Sequence, residues 1–366
     1  MKHLILTIFL AATVISCRNS ESLEEYYSES SGRSSVAPAV ESYTLEREIL
    51  DTAKTLKPET VDLDSPITAR ELYVWQDSIA VVLNGEKGGR RLVEMYSMNS
   101  GRLIKDLFIK GRGPDEILLC YASLKRDTLL VNDIMQHKIA ILPLDSLLHN
   151  KNYKPTFRPY TINTQRLWPF RGRLLAVNPN CFVDKQNGIN NDGPRFILSD
   201  SNYNYKETKH YEINTINLTG ADFFISYEKN RIFYWNLYSP EIEIYDTDLH
   251  LLRKINGIKQ DKKIEYLFAN GYVYADADYE YTYRVGCYDD KYVYIISFGE
   301  APNEDASWDD FNKSYILKFD WDGNFIDSYL IELNISSLSV STDGQSLYAF
   351  GLDSQGNNAL YKYSLP

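Results

Sequence analysis

The sequence predicts an all-β fold: a six-bladed β-propeller closed by an N-terminal strand and preceded by a lipoprotein signal peptide and a disordered tether. Three observations support this prediction. The 366 residues include 29 Tyr but only four Met, and aromatic residues are favoured on pleated sheets. Turn signals followed by β-rich runs recur six times. A further β-like run, just before the first repeat, is available to close the ring.

The composition excludes two broad classes of protein. Hydrophobic residues make up 44% of the chain, which is enough for a substantial core, so the chain as a whole is not disordered. The net charge of −11 argues against a protein that holds nucleic acid by neutralising its phosphates. No nucleic-acid partner is therefore expected.

Residues 1–16 are predicted to be a signal peptide. Their apolar run, Leu4 to Ile15, would span about 18 Å as a helix, too short for a bilayer core of roughly 30 Å. The run ends in Val14-Ile15-Ser16-Cys17, which resembles the bacterial lipobox. The resemblance implies that Cys17 is lipidated and anchors the protein to a membrane. Arg18 is not the Asp that retains lipoproteins at the inner membrane, so the outer membrane is expected, on its periplasmic or its surface side.

Residues 17–55 are predicted to be a tether. From Arg18 to about Ser42 the chain is rich in Ser and Glu and has no periodic apolar pattern, which is typical of disordered segments. The predicted organisation is therefore a signal peptide at 1–16, a tether at 17–55 and one propeller domain at 56–366.

Six repeated units follow the tether. Their turns are 45 to 60 residues apart when measured at Asp77, Asp127, Gly172, Asn230, Asp290 and Gly344. A second series of hairpin turns, rich in Asn, Asp and Gly, lies between them. Each unit thus resembles four short antiparallel strands, the unit of a propeller blade. A pair of β-sandwiches is the alternative, but it would not require six similar units. A β-like run within 270–280 complicates the count of six.

The sixth unit lacks its outer strand. The sequence stops at Tyr363-Ser364-Leu365-Pro366, where a fourth strand should begin, and the β-like run Glu59 to Leu63 has no partner of its own. We predict that this run completes the sixth blade. Such closure joins the two ends of the ring and removes an open sheet edge.

The end of the first unit carries a short glycine motif, Gly111-Arg112-Gly113-Pro114-Asp115-Glu116-Ile117. It resembles the Gly-x-Gly-Pro-Gly-Glu-aromatic signature of the TolB-like and NHL-like six-bladed propeller lipoproteins of Bacteroidetes. Gly111, Gly113, Pro114 and Glu116 match the signature, whereas Asp115 stands in place of Gly and Ile117 in place of an aromatic residue. The resemblance implies a fold and a family rather than an activity.

The glycine motif is expected to be a structural loop between blades. Glycine would supply positive φ for the turn, and Pro114 would fix the exit of the chain. A phosphate cradle is the alternative interpretation. It is not supported, because no helix and no Lys-Ser/Thr pair follow the glycines.

Asn ends four of the second strands, at Asn84, Asn132, Asn178 and Asn236. One hypothesis is a polar ring at the mouth of the central channel that holds a polar ligand or a divalent cation such as Ca²⁺, with help from Asp133. Gluconolactonase-type propellers use such ligands for a cation that acts as a Lewis acid. The other hypothesis is that each Asn ends its strand and bonds its own loop.

The predicted loop 299–313 carries Trp308 and Asp309 among further acids. A loop of this length is either functional or mobile. Trp308 could stack on a sugar ring or on a side chain of a partner, or it could pack the loop down. The dense tyrosines from Tyr266 to Tyr294 are open to two similar interpretations, a carbohydrate platform or packing between neighbouring sheets.

Cysteine and histidine suggest no chemistry. Cys120, Cys181 and Cys287 lie in β-like runs without metal-ligand spacing, which favours buried thiols and leaves a single disulfide possible. The histidines form neither a paired metal motif nor a Ser-His-Asp set. No catalytic residue is therefore predicted.

The leading hypothesis is a non-catalytic binding or protein-interaction module anchored at the outer membrane, with an envelope protein or a glycan as its partner. One alternative is a metal-dependent hydrolase or lyase of the gluconolactonase type, with a divalent cation in the central channel. The other alternative is a glycan-binding protein that uses Trp308 and the tyrosines. No other cofactor is expected.

Overall fold

The structure is a computed structural model, which describes residues 40–64, 69–84, 91–150, 152–162, 164, 166–178, 195–204, 221–236, 239–258, 266–269, 272–275, 283–297, 313–352 and 358–366. These residues form six sheets of three or more strands, one for each predicted unit, and a separate two-stranded hairpin. The sheets are the blades of a six-bladed β-propeller, so the predicted fold class is confirmed.

The described chain begins with a segment that runs along the outer strands of three blades. It contains β1 (Glu41–Thr44), helix α1 (Glu48–Asp51), β2 (Lys54–Thr55) and β3 (Pro58–Val61). Strands β1 and β2 pair in parallel with the outer strands of the fourth and fifth blades. Strand β3 pairs antiparallel with the last strand of the sixth blade.

This path corrects the predicted tether. Residues 40–55 fall within the predicted tether, yet they contain β1, α1 and β2, so regular structure on the propeller begins before the predicted boundary at residue 55. Strand β1 presents mostly exposed side chains and is held through its backbone. Leu45 and Leu56, which are 4% and 6% exposed, anchor the segment between its strands.

The first three blades follow in chain order. The first blade consists of β4 (Ala69–Trp75), β5 (Ile79–Asn84), β6 (Arg91–Ser97) and β7 (Leu103–Ile109). The second consists of β8 (Cys120–Lys125), β9 (Thr128–Asp133), β10 (Lys138–Pro143), helix α2 (Leu144–His149) and β11 (Phe157–Pro159). The described strands of the third are β12 (Leu167–Phe170), β13 (Arg173–Val177) and β14 (Phe196–Leu198).

The remaining blades complete the ring. The fourth consists of β15 (Ala221–Ser226), β16 (Arg231–Asn236), β17 (Ser239–Tyr245) and β18 (Leu251–Asn256), and a hairpin of β19 (Tyr266–Ala269) and β20 (Tyr272–Ala275) follows. The fifth consists of β21 (Tyr283–Tyr288), β22 (Tyr292–Ser297), β23 (Ser314–Asp320) and β24 (Phe325–Ile331). The sixth consists of β25 (Asn334–Val340), β26 (Ser346–Leu352) and β27 (Asn358–Ser364), together with β3.

The sixth blade confirms the predicted closure. In the antiparallel register of β3 and β27, Val61 lies opposite Leu360 and Glu59 lies opposite Lys362. The inner strands of the sixth and first blades are then joined by side chains. The Leu72 and Val74 amides donate to the hydroxyls of Ser337 and Ser339 at 2.6 and 2.9 Å. The blade that contains the N-terminal strand is thus bonded directly to the first blade.

Neighbouring blades pack through aromatic side chains. The Phe233 ring of the fourth blade lies 5.6 Å from the Phe319 ring of the fifth. Phe196 of the third blade lies 5.6 Å from Tyr234 of the fourth, edge to face. Aromatic rings prefer such tilted arrangements. The aromatic surplus of the sequence therefore supplies the core between the sheets.

Candidate functional site

The four Asn residues lie at the same end of their blades, one per blade. In the first blade Asn84 pairs with Ala69, the start of the inner strand, and in the fourth blade Asn236 pairs with Ala221 in the same way. All four are buried, with exposures between 1% and 8%. Asn84 Nδ2 donates to the Arg91 carbonyl of its own blade at 3.3 Å, and Asn132 Nδ2 lies 3.5 Å from the Tyr160 hydroxyl.

The contacts given above for two of these Asn residues are local. Asn84 and Asn132 bond within their own blades, and none of the four Asn residues lines the two channel cavities described below. Within the described ranges, no group of three or more His, Cys, Asp or Glu side chains has the geometry of a metal site. Trp308, Asp309 and Cys17 lie outside the described residues.

Asp133, the proposed helper of a cation, is fully buried and holds the loop that enters the second blade. Its Oδ2 accepts from the Leu118 amide at 2.7 Å and from Gln136 Nε2 at 2.7 Å. Its Oδ1 accepts from the amides of Met135 and Gln136 at 3.0 and 3.2 Å. Both carboxylate oxygens are therefore committed to N–H donors of the protein.

The glycine motif forms the predicted loop between blades, but the reason for its glycines differs from the expectation. The glycines with positive φ in the described chain are Gly101, Gly172, Gly323 and Gly344, so Gly111 and Gly113 do not use that conformation. A Cβ at Gly111 would lie 2.0 Å from the Glu116 carboxylate. Glu116 Oε2 in turn accepts from the Gly113 amide at 2.8 Å. The glycines provide room for a carboxylate that ties the loop together.

This geometry predicts the effect of removing the Glu116 carboxylate. Glu116→Ala should lower the free energy of unfolding by about 1–2 kcal/mol, because the Gly113 amide loses a charged acceptor. Urea denaturation measures the loss. Asp115→Ala, at the exposed neighbouring position, is the matched control and should change stability by less than about 0.5 kcal/mol. Equal effects of the two substitutions would argue against a structural role of Glu116.

An ion-pair cluster crosses the channel at its narrow part. The Arg166 guanidinium lies 3.4 Å from the Glu71 carboxylate and 3.2 Å from that of Asp222, and all three side chains are less than one-fifth exposed. The Tyr73 hydroxyl lies 2.9 Å from Glu71 Oε2. The cavity here is only about 40 Å³, room for a few water molecules at most.

Burial and charge act against each other in this cluster. Burial opposes the charge on Arg166, but the Asp222 and Glu71 carboxylates outweigh it and raise the pKa of the guanidinium. Burial raises the pKa of the Asp222 carboxyl despite the opposing effect of Arg166. Because Arg166 pairs with carboxylates of two other blades, the cluster links three blades at this level.

The channel widens at its other end, where turns link the first and second strands of the blades. We call this space the turn-side cavity. Its volume is about 620 Å³, within the range of sites for small organic ligands. Its aromatic wall comes from the first, fourth and fifth blades and consists of Tyr73, Trp75, Phe224, Tyr227, Tyr288 and Trp321. The Tyr288 ring lies 4.6 Å from that of Phe224 and 5.4 Å from that of Trp321.

The polar groups at the rim of the turn-side cavity mostly bind one another. Trp75 Nε1 donates to Asp127 Oδ1 at 2.8 Å, which links the first two blades. Arg126 forms an ion pair with Glu228. Asp289 Oδ1 accepts from the amides of Lys291 and Tyr292, each at 2.7 Å. These contacts fix the shape of the mouth.

Sequence reasoning did not find the turn-side cavity. The turns beside it were used as markers of the repeat, and Tyr288 was one of a run of tyrosines with two possible roles. The available signal was an aromatic residue at the end of an inner strand, as at Trp75 and Tyr288, or at the start of the turn, as at Tyr227. The four Asn residues lie on the opposite face of the ring, because each second strand begins at the turn and runs away from it toward its Asn.

Comparisons with known proteins agree with this architecture. The family described as TolB-like 6-blade propeller-like matches residues 53–343. A Bacteroides fragilis NCTC 9343 protein, described as exported, has a similar structure with a TM-score of 0.55, 13% identity, and coverage of 88% of this chain and 98% of its own. A member of the duf4221 family from Bacteroides vulgatus ATCC 8482 gives a TM-score of 0.51, 11% identity, and coverage of 85% and 98%.

Two further findings concern curated proteins and membrane-spanning helices. A search of curated proteins finds no significant match. Among the described residues, no helix has the length and apolar character needed to cross a membrane. The family match spans most of the chain, and the six sheets agree with its description as a six-blade propeller. The chain therefore belongs to the TolB-like six-bladed propeller family.

Proposed function

We propose that the protein is a non-catalytic binding module, held at the outer membrane by a lipid on Cys17, and that the turn-side cavity is its binding site. The observation that carries the proposal is the cavity itself, about 620 Å³ of space with aromatic walls. Ligand sites in proteins are typically concave and mostly apolar, with a few polar groups that orient the ligand.

The location in the envelope rests on the N-terminal sequence. Val14-Ile15-Ser16-Cys17 ends a short apolar run, as a lipobox does. The B. fragilis protein of the same fold, which is described as exported, agrees with a location outside the cytoplasm. A lipid at Cys17 would place the propeller beside the membrane, facing the periplasm or the cell surface.

Binding is proposed rather than catalysis because the polar groups around the cavity are used to hold the protein together. Asp127, Glu228 and Asp289 accept from Trp75, from Arg126 and from backbone amides. No His is among the described residues that line the cavity. Asp133, on which the metal-dependent alternative relies, already accepts five N–H groups with its two oxygens.

A neutral aromatic probe tests whether the turn-side cavity binds ligands. N-phenyl-1-naphthylamine should bind with a stoichiometry of one, accompanied by energy transfer from Trp75 and Trp321 in the cavity wall. Leu124 lines the cavity, so Leu124→Trp should weaken binding by about tenfold or more by occupying that space. Fluorescence titration measures both effects.

The control variant introduces Trp at a position outside the cavity. Ile326→Trp places the indole at an exposed position on the outer strand of the fifth blade, and it should leave the affinity unchanged. Circular dichroism and thermal melting establish that both variants are folded. Absence of saturable binding to the wild-type protein, or equal loss in the two variants, would refute the proposed site.

A further inference from the structure

Among the described residues, Lys125 is the basic side chain of the turn-side cavity that forms no ion pair. It is the last residue of the inner strand of the second blade and is half-buried in the cavity wall. Its Nζ lies over the Tyr227 ring, 4.0 Å from the ring centroid. The other basic side chain in the wall, Arg126, is paired with Glu228.

Carboxylates are present around the cavity but do not reach Lys125. Among the described residues, the Lys125 ammonium forms no ion pair and no hydrogen bond, and it lies against the Tyr227 ring. Asp127 is engaged by Trp75, and Asp289 by two backbone amides. The aromatic face of Tyr227 attracts the ammonium but does not cancel its charge.

The position is unfavourable for an ammonium group in the empty protein. Burial, and secondarily the charge of Arg126, lower the pKa of Lys125 from 10.5 to about 8. A buried cation without a counter-ion is costly, whereas an apolar side chain would suit the aromatic wall. An anion entering the cavity would supply the counter-charge that the described residues do not.

We propose that the turn-side cavity binds a ring-bearing organic anion, whose rings lie against the aromatic wall and whose acidic group pairs with the Lys125 ammonium. This inference rests on the proposed binding function and adds the class of ligand. The ligand would be a flat, largely apolar acid with one anionic group. Lys125 would set the orientation of the ligand and its selectivity for acids over neutral rings.

Two probes that share their rings and differ by one anionic group test this directly. 8-Anilinonaphthalene-1-sulfonate carries a sulfonate that N-phenyl-1-naphthylamine lacks. Lys125→Gln should weaken binding of the sulfonate by about tenfold or more, because a charge-assisted bond is lost, and should leave binding of the neutral probe within about twofold. Lys291→Gln, an exposed lysine in the corresponding turn of the fifth blade, is the matched control and should alter neither affinity.

The outcomes separate the two proposals. If both probes bind and Lys125→Gln affects neither or both equally, the cavity is a binding site without selectivity for anions, and the inference about Lys125 is overturned. If neither probe binds the wild-type protein, the proposed function falls as well. A tenfold loss of affinity for the sulfonate probe alone supports both proposals.

The wild-type protein offers a second test that no variant can confound. Affinity for the sulfonate should be constant well below pH 8 and should fall above it, approaching roughly tenfold per pH unit, because the free protein loses the Lys125 proton there. The neutral probe should show no such fall. Identical pH profiles for the two probes would contradict the inference.

Among the cavity-lining groups with a shifted pKa, Lys125 is the one whose pKa is brought close to 8. The other charged side chains that line the cavity are Arg126, Asp127, Glu228, Asp289 and Asp290. Burial raises the pKa of the Tyr73 and Tyr288 hydroxyls and of the Cys287 thiol, so these stay neutral up to high pH.

The stability of the Lys125→Met variant is a third test. Its thermal midpoint should be unchanged or higher than that of the wild-type protein. If Lys125 stabilised the fold, the substitution would lower the midpoint.

Discussion

A chain that begins at residue 62, and so lacks the closing strand, is expected to be less stable to unfolding by about 3–5 kcal/mol than a chain that begins at residue 57. The shorter chain loses β3, whose pairing with β27 runs from Pro58 to Val61. It also uncovers the Leu360 side of the last blade and the cluster in which Val61 packs against it. Urea denaturation followed by Trp fluorescence measures the difference.

The chain that begins at residue 57 is the control for the rest of the segment. It lacks β1 and β2, which pair along the outer strands of the fourth and fifth blades, but it keeps the ring closed. Equal midpoints for the two chains would refute the role of β3 in closure.

A disulfide that joins the two strands should have the opposite effect to the deletion. With Glu59→Cys and Lys362→Cys, at positions that lie directly opposite, the disulfide should raise the free energy of unfolding by about 4 kcal/mol.

Asp133→Ala is expected to lower the free energy of unfolding by about 3–5 kcal/mol. The substitution leaves the Leu118, Met135 and Gln136 amides without their acceptor inside a fully buried site. These amides hold the entry to the second blade and the turn after β9, so the loss should also reduce the cooperativity of unfolding. Chemical denaturation, with the midpoint and the slope fitted separately, measures both.

The control and a metal test distinguish this role from a cation site. Asp51→Ala, at an exposed position in α1, should change stability by less than about 0.5 kcal/mol. The wild-type protein should keep its stability in a chelator, because the oxygens of Asp133 bind N–H groups rather than a cation. A loss below about 1 kcal/mol for Asp133→Ala, together with destabilisation by the chelator, would restore the metal-dependent alternative.

The fold could be predicted from the sequence because its signals are local and repeated. Turn residues such as Asp77 and Gly344 mark where each inner strand ends, and the β-rich runs between them have the right length for blades. The closing strand was recognisable because the last unit is one strand short. The turns and the strand lengths depend on residues that are close in sequence, so they can be recognised from a single sequence.

The end of the tether could not be predicted, because its strands lack the usual side-chain pattern. Strand β1 lies on the edge of an existing blade and is joined to it by backbone bonds, so alternation of apolar and polar residues is not needed. Leu45 and Leu56 are isolated apolar residues in a polar stretch, and their burial becomes apparent only when the blades are in place.

The sequence prediction rested on the Asn ends of the second strands rather than on the turn-side cavity, for a physical reason. An Asn at the end of a strand has the same appearance in the sequence whether it faces a ligand or its own loop. Lys125 and Arg126 are adjacent basic residues in the sequence, but only Arg126 has a carboxylate partner among the described residues. That partner, Glu228, lies 102 residues away in the chain. Long-range pairing of this kind cannot be derived from one sequence without contacts.

The most direct test of the account is a crystal structure of the propeller with 8-anilinonaphthalene-1-sulfonate. We expect the rings to lie in the turn-side cavity against Tyr288 and Trp321, with the sulfonate within hydrogen-bond distance of Lys125 Nζ. Density for the probe at the opposite face, among the Asn ends of the second strands, or on the outer strands alone, would contradict the assignment of the binding site.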